Sequence, residues 1–336
     1  MQHVPSRAAM LRAVAGLRGH PVAVVGDPVL DVYLMGSTHR ISREAPVLIV
    51  REDAREFRIG GAANTAANFA ALGAPVRLVG LVGDDEEGRI LAATAGGLGI
   101  DAGYLAKRKT GCTVTKTRVL AGGLHTTKQQ MLRIDRENSG AIPAADEAAL
   151  MDQATRALEG VEALVISDYG EATTTELYVE LAQRARAKGI RVVVDSRHAL
   201  LRFKGVTAVT PNEPEVEEAL GLTLRTEASA LAAASRLVSD LGLDVAVVTR
   251  GREGMAIATK AGRQALLAAH GGHEAVDVTG AGDTVTATFT LALLAGADEV
   301  DAAALANCAA SIVVKEIGAA TCTPEALAEL AQEELT

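Results

Sequence analysis

The segment Asp277-Val278-Thr279-Gly280-Ala281-Gly282-Asp283-Thr284 carries the residue types and spacing best suited to chemistry. Gly280 and Gly282 let a ligand approach the main chain, and the apolar run over 285–294 predicts that a helix opens there. The first amides of a helix lack partners and sit at the positive end of its dipole, so Gly280, Ala281 and Gly282 would form an anion hole. A carboxylate inside such a mouth repels phosphate unless it has another task. Taking the proton from a hydroxyl that attacks a phosphoryl group is the natural one, which makes Asp283 the candidate general base. The competing reading makes Asp283 the N-cap of the helix after a glycine turn.

The elements that must hold this mouth are legible as a rhythm. Short aliphatic runs at 22–25, 76–82, 163–166, 191–194 and 245–248 alternate with helical patterns at 62–72, 145–158, 174–188, 228–241, 280–294 and 302–316. This is the sequence form of βαβ units, and it predicts an α/β fold with a mostly parallel central sheet flanked by helices on both faces. Gly73, Gly189 and Gly242 stand where left-handed helix ends are expected. Two regions, 46–58 and 112–134, instead alternate polar and apolar residues, with Gly122-Gly123 as a turn in the second. They predict a small antiparallel sheet, inserted at about 38–59 and 111–135 of a single domain over 1–336, that serves as a lid, an edge extension or a dimer clasp.

Composition narrows the function classes. The net charge of −9 argues against a sequence-independent grip on nucleic acid, so an anionic ligand must be held locally by dipoles and a few aimed cations. With four Phe, four Tyr and no Trp, the core must be built from Ala, Val, Leu and Ile. Cys112, Cys308 and Cys322 have no paired spacing and read as reduced thiols rather than disulfide or zinc ligands. Residues 1–20 include Arg7, Arg12 and Arg18 and lack the apolar centre of a signal peptide, so they read as a leading amphipathic helix. No stretch approaches the roughly 20 apolar residues that span a bilayer, and the expectation is a soluble, cytoplasmic protein without a membrane partner.

The Asp277 to Asp283 string resembles the C-terminal signature of the ribokinase (PfkB) carbohydrate kinase family, D-x-x-G-A-G-D. Gly60-Gly61-Ala62-Ala63-Asn64, followed by Leu72-Gly73 and Val79-Gly80-Leu81-Val82-Gly83-Asp84-Asp85, is similar to its N-terminal signature. The resemblance implies a ribokinase-like fold, ATP and Mg²⁺ as cofactors, and a homodimer formed through the lid strands. It implies that Asp31, Gly60, Gly61 and Asn64 contact a sugar, and that Asn212 and Glu215, in an N-x-x-E element, set phosphate and magnesium positions, Glu215 through water. Thr249, Gly251 and Gly254 would meet the nucleotide's phosphates and ribose, and Asn307 its adenine. Backbone carbonyls near Asp277, Thr279 and Gly318 would hold a monovalent cation such as K⁺.

Within the family, Arg40-Ile41-Ser42-Arg43-Glu44-Ala45-Pro46-Val47 resembles the R-I-S-x-E-A-P-V string of the heptose-7-phosphate kinases, with Thr115-Lys116-Thr117-Arg118-Val119 and Leu132-Arg133-Ile134-Asp135 as further matches. Arg43, Lys116, Arg118 and Arg133 would then suit a substrate that already carries a phosphate, or else be solvated rungs of the lid. Two positions depart from that pattern: Glu171 and Arg197 stand where those kinases carry lysines. Another sugar or nucleoside kinase of the family, or a sugar- or nucleotide-sensing protein of the same fold, are the alternatives. A dinucleotide oxidoreductase is disfavoured, because the first strand leads to Gly26-Asp27-Pro28 and not to G-x-G-x-x-G.

Overall fold

A computed structural model describes residues 6–122, 128–138, 142–170, 175–270 and 275–333. Gly123 and Glu171, both singled out in the sequence, lie outside them. The chain begins with α1 (Arg7–Gly16), β1 (Val22–Gly26), β2 (Pro28–Ile41), β3 (Leu48–Gly61), α2 (Ala62–Ala71), β4 (Val76–Val82), α3 (Glu86–Gly97) and β5 (Leu105–Lys107). It continues through β6 (Thr115–Gly122), β7 (Gln129–Arg136), α4 (Ala144–Ala157), β8 (Ala163–Asp168), α5 (Thr175–Ala187), β9 (Arg191–Ser196) and β10 (Ala208–Val209). The last part holds α6 (Glu213–Leu220), α7 (Glu227–Leu241), β11 (Val245–Thr249), β12 (Met255–Thr259), β13 (Gln264–Leu267), α8 (Ala281–Leu294), α9 (Glu299–Val313) and α10 (Pro324–Glu333).

Among the described residues the main sheet has nine strands in the order β13-β12-β11-β10-β9-β8-β1-β4-β5. Its pairings are parallel except those of β12 with β11 and with β13, which are antiparallel, at one edge. Its central strands β1, β8 and β11 are buried on both faces, as their unbroken aliphatic runs require. Val22 and Val24 of β1 pack with α1, α2, α8 and α9, while Ala23 and Val25 pack with α4, α5 and α7. The strand alternation therefore feeds two separate cores, one under each helical layer.

The expected helices are present, with one displaced. The pattern at 302–316 is α9, which starts earlier because Asp298 caps it by accepting from the amides of Val300 and Asp301, both at 2.9 Å. The N-terminal pattern forms α1 only from Arg7. Gly242 ends α7 in the left-handed region, as expected of a glycine C-cap.

The second sheet has the order β3-β2-β6-β7. It is mixed, not antiparallel throughout, since β2 and β6 run parallel with Asp31 beside Lys116 and Tyr33 beside Arg118. It also reaches further back than residue 38, because β2 pairs with β3 from Pro28 onward. Asp31 consequently lies within a strand and not in a loop. The β6–β7 register sets Arg118 opposite Arg133. Side chains two apart on a strand share a face, so Asp31 and Tyr33, Lys116 and Arg118, and Arg133 and Asp135 present one charged surface. No helix among the described residues is long and apolar enough to cross a membrane. Cys308 and Cys322 are buried free thiols, pushed up by burial to about 11 and about 12 respectively.

Candidate active site

Asp283 occupies the first turn of α8, but it does not cap it. The capping position is Gly280, whose φ of 80° lies in the left-handed region that glycine alone adopts cheaply. A Cβ there would also come within 2.7 Å of Asn64 Nδ2, so this glycine serves both the turn and the contact with α2. The Ala281 amide donates to the Val278 carbonyl at 3.2 Å, and Thr284 begins the regular helical pattern by donating to Gly280 O at 3.1 Å. The Gly282 and Asp283 amides therefore belong to the first turn, where the helix itself supplies no acceptor. A Cβ on Gly282 would meet nothing within 4 Å, so this part of the mouth is open.

The Asp283 side chain turns toward α2. Asn64 Nδ2 donates to Oδ2 at 2.6 Å, the Thr65 hydroxyl donates to Oδ1, and the Tyr169 hydroxyl donates to Oδ1 at 3.2 Å. One turn beyond Asn64 on α2, Asn68 Oδ1 accepts from the hydroxyl of Thr284, the residue after Asp283, at 2.7 Å. This polar seam is buried between two helices that otherwise meet through small residues, which lets their backbones approach. Burial pushes the Asp283 carboxyl above its ordinary value, and the bonds from Thr65, Asn64 and Tyr169 pull against that rise. The start of α2 is equally constrained: a Cβ on Gly61, whose φ is 56°, would sit 2.2 Å from Asp27 O, the carbonyl that accepts from Ala62 N at 3.0 Å.

Asp283 lies in the wall of a cleft of about 390 Å³ between the carboxyl ends of the parallel strands and the small sheet. Asp31, Gly60, Gly61, Asn64, Lys116, Arg118, Arg133, Asn212 and Glu215, all expected at a site, line it. So do Arg197, noted in the sequence as a departure from the heptose kinase pattern, and Asp168, Tyr169, Asp195 and Thr210, to which the sequence reading gave no role. Their signal was positional: each stands at or just after the carboxyl end of β8, β9 or β10, where open α/β sheets hold ligands. Arg118 pairs with Asp31, and its guanidinium lies 5.3 Å from the Tyr33 ring centroid. Arg133 pairs with Asp135. Arg43 is not brought to the cleft; it is exposed in the turn between β2 and β3, at the far end of that hairpin from Asp31.

Asn212 and Glu215 have a structural task as well. They form a reciprocal cap on α6, with Asn212 Oδ1 accepting from Glu215 N and Glu215 Oε2 accepting from Asn212 N, both at 2.9 Å. Burial pushes the Glu215 carboxyl up. Asp195 is pushed well above the carboxylate range by burial and by the nearby Glu215 and Asp283, with Arg197 acting against both. No group of three or more His, Cys, Asp or Glu side chains among the described residues is arranged to hold a metal ion.

A second cleft of about 490 Å³ lies on the other side of the α8 mouth, and the two share Thr249, Val278 and Gly282. Its walls are more apolar, with Met255, Ala275, Val285, Ala310 and Val314, and it carries Gly251, Gly254 and Asn307 at the expected positions. Asn307 Nδ2 donates to Ala268 O at 2.6 Å. Arg250, only 6% exposed, pairs with Glu213 and Glu253 and so ties the loop after β11 to the start of α6. The Asp277 carboxylate accepts from Thr279 N and Gly318 N, each at 2.9 Å, which joins the loop before α8 to the loop after α9. These bonds hold its carboxyl below the ordinary value despite some burial.

Comparison with known proteins bears on this arrangement. Residues 20–326 match the family described as pfkB family carbohydrate kinase. The chain is 41% identical over 306 residues to the bifunctional protein HldE of Azorhizobium caulinodans, covering 90% of this chain and 62% of that protein. It thus spans about three fifths of the length of the curated relatives it matches. Among solved structures, the ribokinase of Arabidopsis thaliana complexed with ribose and ATP superposes with a TM-score of 0.71 at 20% identity, covering 94% of this chain and 99% of that one. Phosphofructokinase-2 of Escherichia coli in complex with potassium gives 0.74 at 19% identity, covering 94% and 98%.

Proposed function

Because the chain belongs to the pfkB family of carbohydrate kinases, we propose that it transfers the γ-phosphoryl group of ATP to a hydroxyl of a sugar phosphate. The observation that carries this reading is the seat of Asp283, buried and triply hydrogen-bonded, in the wall of a polar cleft beside the mouth that this cleft shares with a more apolar one. The polar cleft takes the acceptor. The apolar one takes the nucleotide, with adenine against Val285, Ala310 and Val314 and the phosphates directed to the α8 mouth.

Two hydroxyls hold Oδ1 of Asp283, and one amide holds Oδ2. Oδ2 keeps a lone pair for the acceptor's proton. As that O–H bond breaks, the acceptor oxygen bonds to the γ-phosphorus and the bond from phosphorus to the ADP oxygen opens. The Gly282 and Asp283 amides and the α8 dipole meet the charge of the phosphoryl oxygens. Glu215 has one carboxylate oxygen outside the α6 cap, available to a water of the Mg²⁺ that ATP brings; when bound, that ion neutralises phosphate charge. The loops joined by Asp277 and Gly318 suit a monovalent cation on their carbonyls.

The acceptor we favour is D-glycero-β-D-manno-heptose 7-phosphate, phosphorylated at its anomeric hydroxyl. The R-I-S-x-E-A-P-V resemblance supports it, as do Lys116, Arg118 and Arg133, which line the acceptor cleft. Lid strands bearing exposed Ile41, Leu48, Leu132 and Ile134 support a homodimer through the small sheet. Incubation with ATP, Mg²⁺ and a panel of sugars and sugar phosphates tests the reading: ADP release with the heptose 7-phosphate is expected. Turnover of unphosphorylated sugars alone would rule out that acceptor, and no phosphorylation of any panel member would remove the kinase reading.

A further inference from the structure

Tyr169 directly follows β8, and three contacts fix it. Its amide donates to Asp27 Oδ2 at 3.0 Å, and Asp27, fully buried, also accepts from the Tyr178 hydroxyl at 3.0 Å. Its hydroxyl donates to Asp283 Oδ1 at 3.2 Å. Its ring lies 5.2 Å from the guanidinium carbon of Arg197, which lines the same cleft. The guanidinium acts on the Asp195 and Glu215 carboxyls, and the aromatic face of Tyr169 adds a contact that helps to locate it.

We propose that Tyr169 is the positioning residue of this site, orienting Asp283 through its hydroxyl and seating Arg197 through its ring as an anion-binding cation for the phosphate of the acceptor. Asp27 holds the backbone of Tyr169 from beneath, so one side chain fixes both the base and a charge across the cleft. This deepens the kinase reading and rests on Asp283 being the base. The tyrosine suits the task chemically: burial and the neighbouring Asp283 and Asp195 keep its hydroxyl protonated far above its ordinary range, so it remains a donor while the base titrates. Thr65 fixes the same carboxylate oxygen from α2, and Asn64 fixes the other. The charged groups that share the cleft with Asp283 are Asp168, Asp195, Glu215 and Arg197 on the sheet side, and Asp31, Lys116, Arg118 and Arg133 on the small sheet. None of them duplicates a bond from Tyr169 to Oδ1.

Substitutions separate the two roles. Tyr169→Phe removes the hydroxyl and keeps the ring, Tyr169→Leu removes both, and Arg197→Met removes the charge alone. Carboxyl ¹³C NMR of the substrate-free protein, with Asp283→Asn to assign the signal, reads the base directly and requires no activity. In Tyr169→Phe the Asp283 midpoint should move up by about one pH unit, the scale of a lost hydrogen bond to a charged group. The acid limb of kcat should move with it, leaving KM for the sugar phosphate unchanged. Tyr169→Leu and Arg197→Met should both raise that KM by about tenfold, the lower end for a charged hydrogen bond, and Arg197→Met should move the Asp283 midpoint less than Tyr169→Phe does. Superimposable Asp283 titrations in the wild type and Tyr169→Phe would overturn the orienting role, and equal KM values in Tyr169→Phe and Tyr169→Leu would overturn the seating of Arg197. A protein that phosphorylates no sugar would refute the kinase reading instead, while the NMR titration still decides the orientation of Asp283.

Discussion

The two clefts that meet at the mouth of α8 are built from opposite materials. The proposed acceptor side is walled by carboxylates and guanidinium groups from two sheets, whereas the proposed nucleotide side is more apolar, with Met255, Val285, Ala310 and Val314 beside Arg252, His270 and Lys315. A polar, multiply hydroxylated ligand is recognised by hydrogen bonds whose loss leaves buried groups unpaired, and discrimination by that means is steep. A flat aromatic base is recognised by shape and apolar area, where each lost contact costs little. The difference teaches that selectivity should reside on the lid side and tolerance on the nucleotide side. Gly282, Thr249 and Val278 line both clefts, and on the proposed reading this is where the two ligands would exchange a group.

The sharpest way to break this comparison is at the junction. Asp283→Asn should lower kcat by about 10²–10⁴, the usual range for losing a general base, with far less effect on ATP affinity. Full activity in that variant would refute the assignment. The wild-type kcat should itself fall as acid protonates the base; because burial raises the Asp283 carboxyl, this limb should lie above the ordinary carboxylate range. A steady-state pH profile at saturating ATP measures it.

On the acceptor side, Arg133→Met should raise KM for a phosphorylated sugar by about ten- to a hundredfold, as charged hydrogen bonds of roughly 1.5–3 kcal/mol predict. KM for ATP should not move. Arg133 is the cleaner test than Arg118, because its partner Asp135 is exposed while Asp31, the partner of Arg118, is 9% exposed and would be left unpaired. On the nucleotide side, Ala310→Phe fills part of the cleft and should raise KM for ATP by about tenfold, within the 1–3 kcal/mol typical of overpacking, while sparing the acceptor. If Ala310→Phe changed acceptor KM as strongly as ATP KM, the separation into two clefts would fail.

The parallel sheet and its helices were legible because the central strands are buried on both faces and each helix carries its own period. β10 escaped notice because only Ala208 and Val209 pair, and two residues carry no pattern. β12 and β13 escaped because antiparallel edge strands that follow a short turn do not repeat the βα rhythm. The small sheet was legible in the alternation near 46–58, but its parallel pairing of β2 with β6 was not, since alternation is the same for either direction. The Asp277 to Asp283 string named the mouth, yet it could not reveal that Asn64 and Thr65 would donate to Asp283 from more than two hundred positions away. Arg43 showed the reverse weakness: residue type and neighbourhood placed it with Lys116 and Arg118, while the length of the hairpin carries it elsewhere.

The smallest effect tests how far the floor of the acceptor cleft is scaffold and how far chemistry. Asn212 caps α6 through Oδ1 and also faces the cleft, so a single substitution confounds the two roles. Asn212→Ala removes the cap and should cost about 1 kcal/mol of stability, measured by denaturant unfolding. Asn212→Asp keeps an oxygen on the Glu215 amide, and aspartate at an N-cap is as good as asparagine, so stability should stay near that of the wild type. The same aspartate adds a negative charge near Glu215 and Asp195, where the phosphates of ATP are proposed to pass, and should raise KM for ATP severalfold. Loss of stability in one variant and loss of affinity in the other would separate capping from phosphate placement. If Asn212→Asp bound ATP normally, Asn212 would be scaffold alone, and the chemistry of that wall would fall to Glu215 and Arg197.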